Sequence, residues 1–516
     1  MDDGRGPGPG PAAERRGAGD VALDTVTRLS DRLHADWLDH HGLLPVRRED
    51  GQLVVATWRE TVDVQALDDL RLLFDAPIVL VHAPMDDVRA AIQRVYGAEE
   101  TSAEQVIAGL SAHATDDSTD DLALDDLVSL ANEAPVVKLV NLLLLEAIEA
   151  RASDVHLEAY AGELRVRYRI DGVLQDAPTP PAGLKAAVIS RIKIMADLDI
   201  AERRVPQDGR IRLRLQDRQV DVRVSTIPTL HGESVVLRLL DKERGRIALE
   251  DLGMSDETLR RFMEAVARPH GIVLVTGPTG SGKTTTLYAA IDRIRTGREK
   301  ILTVEDPVEY ELPGVPQMPV NEKLGVTFAT ALRALLRQDP DVILVGEIRD
   351  EETADIATHA ALTGHLVLST LHTNDAVGAL TRLLDLGVPP YLVASTVEAV
   401  LAQRLVRRVC ERCREEVQAE RDVAGEFGLP PGSLPVVARG AGCDACRGTG
   451  FRGRTGIYEL LIVDDAIRTE VLQRPSAGTL RRLAIEGGLT TLRQDGLRLV
   501  RQGITTPEEV LRVTRV

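Results

Sequence analysis

The sequence predicts a multidomain α/β protein whose C-terminal half contains a parallel sheet covered by helices on both faces. At 516 residues the chain exceeds what a single hydrophobic core organises and should divide into about three domains. After residue 243, near-continuous apolar runs alternate with helical stretches, which is typical of parallel strands buried on both faces. Before residue 243, short segments alternate apolar and charged residues, which indicates a sheet with one solvated face.

The N-terminal part is predicted to be a disordered tail followed by a small α/β domain. Residues 1–20 are rich in glycine, proline and charge, a composition that cannot bury a core. Residues 21–113 contain amphipathic helical patterns around the strands QLVVAT and IVLVHA. The stretch RLSDRLHADWLDHHGLLPV, which precedes both strands, is expected to be a helix followed by a turn. Residues 114–126 are acidic and low in complexity, which predicts a solvated linker.

Residues 127–242 are predicted to form a second domain that consists largely of sheet. Asn132 and Glu133 precede an apolar helical pattern, with Pro135 in its first turn. The strands that follow are ELRVRYRIDGVL, GRIRLRLQ, QVDVRVSTI and SVVLRLL. Their polar face carries many arginines, and the simplest explanation for these is a solvated surface.

Residues 243–516 contain the predicted parallel sheet, with the strands GIVLVT, KILTVE, DVILVGE and HLVLSTL. Ligands of such sheets bind at the carboxyl ends of the strands, so the polar residues there are candidates for a site. Within this domain, residues 407–456 contain every cysteine, and residues 457–516 are expected to be a helical C-terminal part.

Residues 277–284 read GPTGSGKT and match the pattern of a phosphate-binding loop between a strand and a helix. Glycines let the backbone wrap phosphates with inward amide groups, a lysine adds a full positive charge, and the following threonine offers its hydroxyl to Mg²⁺. The alternative is a chance match, which the strand–loop–helix context opposes. The predicted nucleotide-binding residues are Gly277, Pro278, Thr279, Gly280, Ser281, Gly282, Lys283, Thr284 and Thr285.

The ends of the other parallel strands carry acidic and histidine side chains. Taken singly, an acidic loop residue is usually solvated, and a lone histidine beside an apolar strand is usually structural. Because four strands begin or end in such groups, together they predict a site that handles metal and water next to the phosphates. These residues are Glu305, Asp306, Glu309, Glu347, His365 and His372.

The four cysteines form two C-x₂-C pairs, Cys410 with Cys413 and Cys443 with Cys446. This spacing predicts a zinc site rather than disulfides in a reducing compartment. Four thiolates fill a tetrahedron and leave no open position, so the site would be structural and would hold the intervening 29 residues. A redox pair and a metal-free loop are the alternatives.

Composition excludes some functions and favours others. A formal net charge of −18 and an aromatic content of only 3% argue against nucleic-acid binding. No apolar run approaches the roughly 18 residues of a membrane-spanning helix, and the start of the chain lacks a signal-peptide pattern. We therefore expect a cytoplasmic protein.

Four segments in order resemble the signature boxes of the secretion ATPase superfamily. GPTGSGKTTTLYAAI, TVEDPVEY, LRQDPDVILVGEIRD and TGHLVLSTLHTNDA are similar to its Walker A, Asp, Walker B and His boxes. ERRVPQDGRI, ASDVHLE and RYRIDGV resemble the preceding domain of the type II secretion and type IV pilus assembly ATPases. The resemblance covers roughly residues 132–516 and, more weakly, 29–97. It points to the general secretion pathway protein E family.

The resemblance implies a hexameric ATPase with a RecA-like C-terminal domain and a PAS-like domain before it. By this analogy Glu309 is the general base for water and Glu347 holds the Mg²⁺ shell. His365 and His372 would sense or contact the γ-phosphate. ATP, Mg²⁺ and Zn²⁺ are thus the expected ligands.

The resemblance also gives the arginine-rich sheet a function, because arginines of the PAS-like domain are expected to reach the nucleotide of a neighbouring subunit. Arg223 and Arg238 align best with those positions, and Arg210 is a weaker candidate. Arg333 and Arg337 are further candidates for contacts within the subunit. For each of these arginines a solvated surface position is the alternative.

The implied function is a motor at the inner face of the cytoplasmic membrane that drives pseudopilus assembly for type II secretion. Its expected partners are a polytopic platform protein and a bitopic linker protein bound by the N-terminal domain. The tetracysteine element argues against the pilus retraction branch, and the total length and short N-terminal domain favour secretion over pilus assembly.

Several alternatives stay open from the sequence. A type IV pilus assembly ATPase is the nearest one. A DNA-translocating or nucleic-acid-binding ATPase and a scaffold that binds ATP without hydrolysis are the others. A cyclic dinucleotide is not an expected ligand, because RLHADWLDHHGLLPV has a histidine where the repeated Arg-Leu-Gly pattern would require glycine.

Overall fold

The computed structural model describes residues 35–96 apart from 50 and 60, residues 134–515 apart from 216–217, 242–245 and 420–422, and isolated residues before 35 and near 105. It divides into two compact units, one of Met1–Glu146 and Pro178–Arg191, the other of Ala147–Ala177 and Ile192–Val516. The predicted acidic linker, residues 114–126, lies outside the described residues.

This division departs from the predicted boundaries at 127 and 242. The sheet formed by residues 127–242 belongs to the same unit as the C-terminal part of the chain, whereas most of the first helix of residues 127–242 belongs to the unit of the N-terminal part. The buried residues of this helix, among them Val136, Leu139 and Leu143, are fixed by tertiary packing, which a boundary drawn along the sequence does not follow.

The first unit contains a four-stranded sheet in the order β1-β4-β3-β2. β3 pairs parallel with β4 and antiparallel with β2, and Leu38, Leu53 and Leu70 are fully buried beside it. Asp63 caps α2 by accepting a hydrogen bond from the Gln65 amide. The elements are β1 (Glu14–Arg16), α1 (Ala35–His41), β2 (Leu43–Glu49), β3 (Gln52–Thr57), α2 (Val64–Phe74), β4 (Ile78–His82) and α3 (Met85–Val95).

Two predictions for this region are wrong. Gly42 is a turn residue as predicted, but the turn does not continue: Leu43–Glu49 form the strand β2, since pairing with β3 supplies hydrogen bonds that Pro45 and the following charged residues do not signal. Glu14–Arg16, assigned to the disordered tail, pairs with β4; the rest of residues 1–20 lies outside the described part of the chain.

The second unit begins with a six-stranded antiparallel sheet in the order β7-β6-β5-β10-β9-β8. Alternate residues of β5 and β6 are buried, as the predicted alternation requires. β5 itself was not among the predicted strands. The strands are β5 (Ala152–Tyr160), β6 (Glu163–Ile170), β7 (Val173–Asp176), β8 (Gln207–Leu215), β9 (Arg218–Thr229) and β10 (Gly232–Asp241). The helices α4 (Ala134–Glu149) and α5 (Lys185–Met195) belong mostly to the first unit.

The second sheet of this unit has seven strands in the order β13-β12-β14-β15-β11-β16-β19. Every neighbouring pair is parallel except β16 with β19. The two longest strands, β16 and β19, were not predicted. The strands are β11 (Gly271–Thr276), β12 (Ile301–Glu305), β13 (Gln317–Pro319), β14 (Val342–Val345), β15 (Leu366–Leu371), β16 (Val397–Val409) and β19 (Phe451–Ile462); β17 (Arg414–Gln418) and β18 (Val436–Gly440) form a separate hairpin.

Helices cover both faces of this sheet, which confirms the predicted α/β class. Ile272 and Leu274 of β11 pack into one core cluster, whereas Val273 and Val275 pack into another. The helices are α6 (Asp256–Val266), α7 (Lys283–Ile294), α8 (Phe328–Leu335), α9 (Glu351–Leu362), α10 (Ala376–Asp385), α11 (Pro390–Thr396), α12 (Val423–Glu426), α13 (Asp465–Val471), α14 (Ala477–Glu486), α15 (Leu492–Arg501) and α16 (Pro507–Thr514). Among the described residues, none of the helices combines the length and apolar character needed to cross a bilayer.

Candidate nucleotide-binding site

Residues 277–282 form a loop between the central strand β11 and the helix α7. Gly277 and Gly282 have φ angles of 151° and 89°, which favour glycine. A Cβ on Gly277 would lie 2.5 Å from the Gln403 carbonyl oxygen, and one on Gly282 would lie 2.8 Å from Gln403 Nε2. Glycine is therefore required here both by the backbone angle and by the close approach of β16.

Lys283 lies at the start of α7 with its ammonium group turned toward the loop. Its Nζ donates to the carbonyl oxygens of Gly277 at 2.9 Å and Pro278 at 3.1 Å. Burial lowers the pKa of Lys283, with Arg404 adding to this effect and Glu347 opposing it. The buried Ser281 Oγ has no hydrogen-bond partner in the part of the chain that the structure describes. A buried hydroxyl and a half-buried ammonium at a helix N-terminus fit a phosphate group.

The loop opens into a cleft of about 660 Å³ at the carboxyl ends of the parallel strands. The cleft gathers most of the predicted site residues from segments far apart in sequence. The predicted residues that line it are Thr279, Gly280, Gly282, Lys283, Thr284, Thr285, Asp306, Glu305, Glu309, Glu347, His372, Arg223 and Arg238.

Glu347 holds a central position in the cleft, two residues beyond the end of β14. Its Oε1 accepts a hydrogen bond from Arg349 Nη2 at 2.5 Å, and its Oε2 lies 3.4 Å from His372 Nε2. Burial would raise the pKa of Glu347, but Arg349 and His372 outweigh it and the pKa is lowered. Glu347 therefore keeps its negative charge, as a residue near Mg²⁺ must.

Glu305, the last residue of β12, and Glu309, four residues later, differ in their exposure to solvent. Glu305 is buried and accepts hydrogen bonds from Tyr288, Thr303 and Gln317. Glu309, by contrast, is exposed and lines the cleft. Of these two glutamates, only Glu309 exposes its carboxylate to water in the cleft.

His365 lies away from this cleft, contrary to the expectation that it contacts the γ-phosphate. Its carbonyl oxygen accepts from the Gly271 amide, so it stands at the beginning of β11 and β15, whereas the loop follows the end of β11. Strands of this length span about 17 Å. His365 Nδ1 instead lies 2.9 Å from the Ala360 carbonyl oxygen, at the end of α9.

Two of the predicted arginines also line the cleft. Arg223 and Arg238 are both among its lining residues within this one chain. The expectation that they reach the nucleotide of a neighbouring subunit stays a prediction. Arg210 stands directly opposite Arg223 in the register but does not line the cleft.

Arg333 and Arg337 do not line the cleft either. Arg333 pairs with Glu352 at 2.7 Å, and Arg337 donates to the Arg333 carbonyl oxygen at 2.9 Å. Both hold the end of α8 in place.

The sequence analysis missed the residues that hold the loops of the site together. Arg404 of β16 is buried and donates to the Asn374 carbonyl oxygen at 2.8 Å. Thr276 Oγ1 lies 2.7 Å from Thr373 Oγ1. These contacts tie the residues after His372 to the phosphate-binding loop. No local motif signals them, because each joins strands distant in sequence.

The four cysteines converge as their spacing predicts. All four Sγ atoms lie within 4.8 Å of one another, and three pairs are 3.8–3.9 Å apart. Zinc at about 2.3 Å from each sulfur of a tetrahedron requires sulfur separations of about 3.8 Å. The backbone amides of Gly442 and Gly450 donate hydrogen bonds to the sulfur atoms of Cys413 and Cys446, which orients these sulfurs and stabilises negative charge on them. The cluster therefore fits a structural zinc ion.

Comparison with known proteins assigns the chain to a family. Residues 129–512 match the family "Type II/IV secretion system protein", and residues 20–102 match the "MshEN domain". The type II secretion system protein E of Pseudomonas aeruginosa is 54% identical over 391 residues, 76% of this chain and 78% of that protein. The type II secretion system ATPase E of Vibrio cholerae is 46% identical over 461 residues, 88% of this chain and 91% of that protein.

Two pilus proteins and a further ATPase are also similar to this chain. The type IV pilus assembly ATPase PilB of Myxococcus xanthus is 45% identical over 479 residues, 92% of this chain and 84% of that protein. The crystal structure of the pilus retraction motor PilT with ADP is 28% identical with a TM-score of 0.50, covering 72% of this chain and 96% of PilT. The ATPase DotB of Legionella pneumophila, at 22% identity, a TM-score of 0.55 and 73% and 95% coverage, shares the fold.

The family match spans most of the chain and includes every residue that lines the cleft. The chain therefore belongs to the type II/IV secretion system protein family, and to the type II secretion ATPase E proteins within it.

Proposed function

We propose that this chain hydrolyses ATP and that the energy drives protein export by a type II secretion system. The observation that carries the proposal is the convergence, in one cleft, of the phosphate-binding loop with side chains from distant segments, namely Glu309, Glu347, His372, Arg223 and Arg238. A phosphate-binding loop alone only binds nucleotide. Hydrolysis also needs a group that activates water and cations that stabilise the transition state, and this cleft has both.

Each residue has a chemical role in this proposal. The loop amides and Lys283 bind the β- and γ-phosphates of ATP. Glu309 accepts the proton of the attacking water, since its carboxylate is exposed in the cleft. Arg223 and Arg238 stabilise the charge on the transferring phosphoryl group.

Two residues fit a magnesium ion. The Thr284 hydroxyl and the Glu347 carboxylate line the same cleft and offer the oxygen ligands that Mg²⁺ prefers. When bound, the ion neutralises phosphate charge. His372, paired with Glu347, would orient that carboxylate and report the state of the γ-phosphate.

Replacement of Glu309 tests hydrolysis directly. We expect Glu309→Gln in the full chain to lower kcat by about 100-fold or more while ATP still binds, because only proton acceptance is removed. Glu311→Gln, an exposed glutamate on the same segment that does not line the cleft, is the matched control. If wild type and Glu309→Gln hydrolyse ATP equally slowly with secretion partners present, the chain is a scaffold and not a motor.

We further propose that the motor is a homohexamer in the cytoplasm at the inner membrane face. It would be held there by the polytopic platform protein and by a bitopic linker protein bound to residues 21–113. The proposal is supported by the family membership, since secretion motors act with membrane machinery. To test this proposal, the full chain is isolated with its membrane partners and the partner segment that contacts residues 21–113 is identified. A linker protein that binds elsewhere on the chain would refute the role assigned to residues 21–113.

Pilus assembly is a second candidate function, supported by the 45% identity to the Myxococcus xanthus protein over 92% of this chain. Complementation of deletion strains distinguishes the secretion function from the pilus assembly function. Restored export in a strain lacking its secretion ATPase supports secretion, whereas restored pili in a strain lacking its pilus assembly ATPase supports the alternative.

A further inference from the structure

One row of residues crosses the six-stranded sheet and ends near the cleft. Directly opposite one another on adjacent strands stand Arg169 of β6, Asp154 of β5, Arg238 of β10, Arg223 of β9 and Arg210 of β8. The row thus contains four arginines and a single carboxylate. Like charges directly opposite in a sheet repel, so Asp154 supplies the counter-charge that this arrangement requires.

The Asp154 carboxylate is held tightly. Asp154 is only 6% exposed. A buried negative charge is costly unless it is paired with a positive group or accepts hydrogen bonds. Oδ2 accepts a hydrogen bond from Ser153 Oγ at 2.8 Å and lies 3.7 Å from Arg169 Nε. Oδ1 accepts a hydrogen bond from Arg238 Nε at 3.0 Å. The carboxylate is therefore fixed by its neighbours and points one oxygen at Arg238.

Arg238 has the opposite character, since its side chain is 59% exposed and lines the cleft. A long exposed arginine samples many rotamers unless a partner restricts it. Only its Nε is engaged by Asp154, and within the described residues its two terminal nitrogens donate to no protein group. One end of the guanidinium is thus anchored while the other end stays available for phosphoryl oxygens.

We propose that Asp154 is a positioning residue for hydrolysis, which fixes the guanidinium of Arg238 in the orientation that meets the γ-phosphoryl group. This inference rests on the proposed ATPase function and adds to it a residue that does not touch the nucleotide. It predicts that Asp154 acts on turnover through Arg238 alone. A double-mutant cycle measures this dependence directly.

The experiment uses the full chain and measures kcat, the KM for ATP and the binding of a fluorescent ATP analogue. We expect Asp154→Ala to lower kcat by about tenfold or more, with KM changed less than about threefold, because a misoriented arginine mainly weakens the transition state. In an Arg238→Ala background, the same substitution should change kcat by less than about twofold. Asp154→Asn, which keeps an oxygen acceptor without the charge, should retain more activity than Asp154→Ala.

Glu158→Ala is the matched control, since Glu158 also pairs with an arginine between β5 and β6, at 2.6 Å, but does not line the cleft. It should keep kcat near wild type. An equal fall in kcat on Asp154→Ala with and without Arg238 would indicate a purely structural role and would overturn the proposal. So would an Asp154→Ala variant with unchanged kcat when Arg238→Ala is inactive. A normal kcat for Arg238→Ala would instead remove the arginine from the proposed mechanism, and Asp154 with it.

Discussion

Arg238 of β10 stands directly opposite Arg223 of β9, and both side chains line the cleft that contains Lys283 of the same chain. Two like charges at adjacent positions of a sheet destabilise it by up to about 1 kcal/mol. The arrangement is understandable if an anion binds between them. It also places two arginines and Lys283 at one cleft of a single polypeptide.

Mixing variants tests whether these arginines act within their own chain. Chains carrying Lys283→Ala lack the phosphate-binding lysine, and chains carrying Arg223→Ala lack the arginine. If Arg223 serves the cleft of its own chain, rings assembled from both variants contain no complete site and stay inactive. Recovery of ATP hydrolysis in the mixed rings would show that Arg223 reaches a neighbouring subunit. Co-purification through two different tags verifies that mixing occurred.

Lys283→Ala should abolish hydrolysis, with a fall in kcat/KM of about 100-fold or more, because the ammonium group of the phosphate-binding loop is lost from the cleft. Steady-state phosphate release measures this. Lys300→Ala, an exposed lysine at the start of β12, serves as the control. Normal turnover by Lys283→Ala would remove the loop from the mechanism.

The cysteine cluster should hold about one zinc ion per chain. Elemental analysis of the purified protein measures this, and Cys443→Ser should lower both the zinc content and the melting temperature. Asp444→Ala, between the two cysteines of the second pair, should lower neither, since Asp444 is exposed and is not part of the cluster. Wild-type protein that is stable and free of metal would contradict the zinc assignment.

Glu509 links α16 to the long strand β16. Its carboxylate accepts hydrogen bonds from Arg407 at 2.5 Å and from Arg512 at 2.8 Å. Burial would raise the pKa of Glu509, but these two arginines outweigh it and lower the pKa to about 2. Because the pKa is below its ordinary value of 4.5, the ion pair contributes stability above pH 4.5 that is lost as the pH falls toward 2.

Glu509→Gln should therefore lower the free energy of unfolding by roughly 2–4 kcal/mol at neutral pH. The difference from wild type should shrink between pH 4.5 and pH 2, the interval between the pKa of the carboxylate in the unfolded chain and its pKa in the native protein. Denaturant titrations at several pH values measure both effects. A difference that is constant across this interval would mean that the charge of Glu509 does not contribute.

Much of this protein is determined by local sequence. The phosphate-binding loop follows from eight consecutive residues, since glycine angles, backbone amides and the helix N-terminus are properties of a contiguous segment. The two cysteine pairs and the apolar strands of the parallel sheet are equally local signals. Glu309, Glu347 and His372 were found because parallel strands bring their carboxyl ends to one edge.

The tertiary structure decided which of these candidates meet. Strand direction put His365 at the far edge of the sheet from the loop. Cross-strand register put Arg223 and Arg238, and not Arg333, at the cleft, and it paired Arg238 with Asp154 across 84 positions of sequence. Periodicity along a chain specifies which side chains share a face, but the hydrogen bonds between distant strands choose their neighbours, and no local pattern encodes that choice.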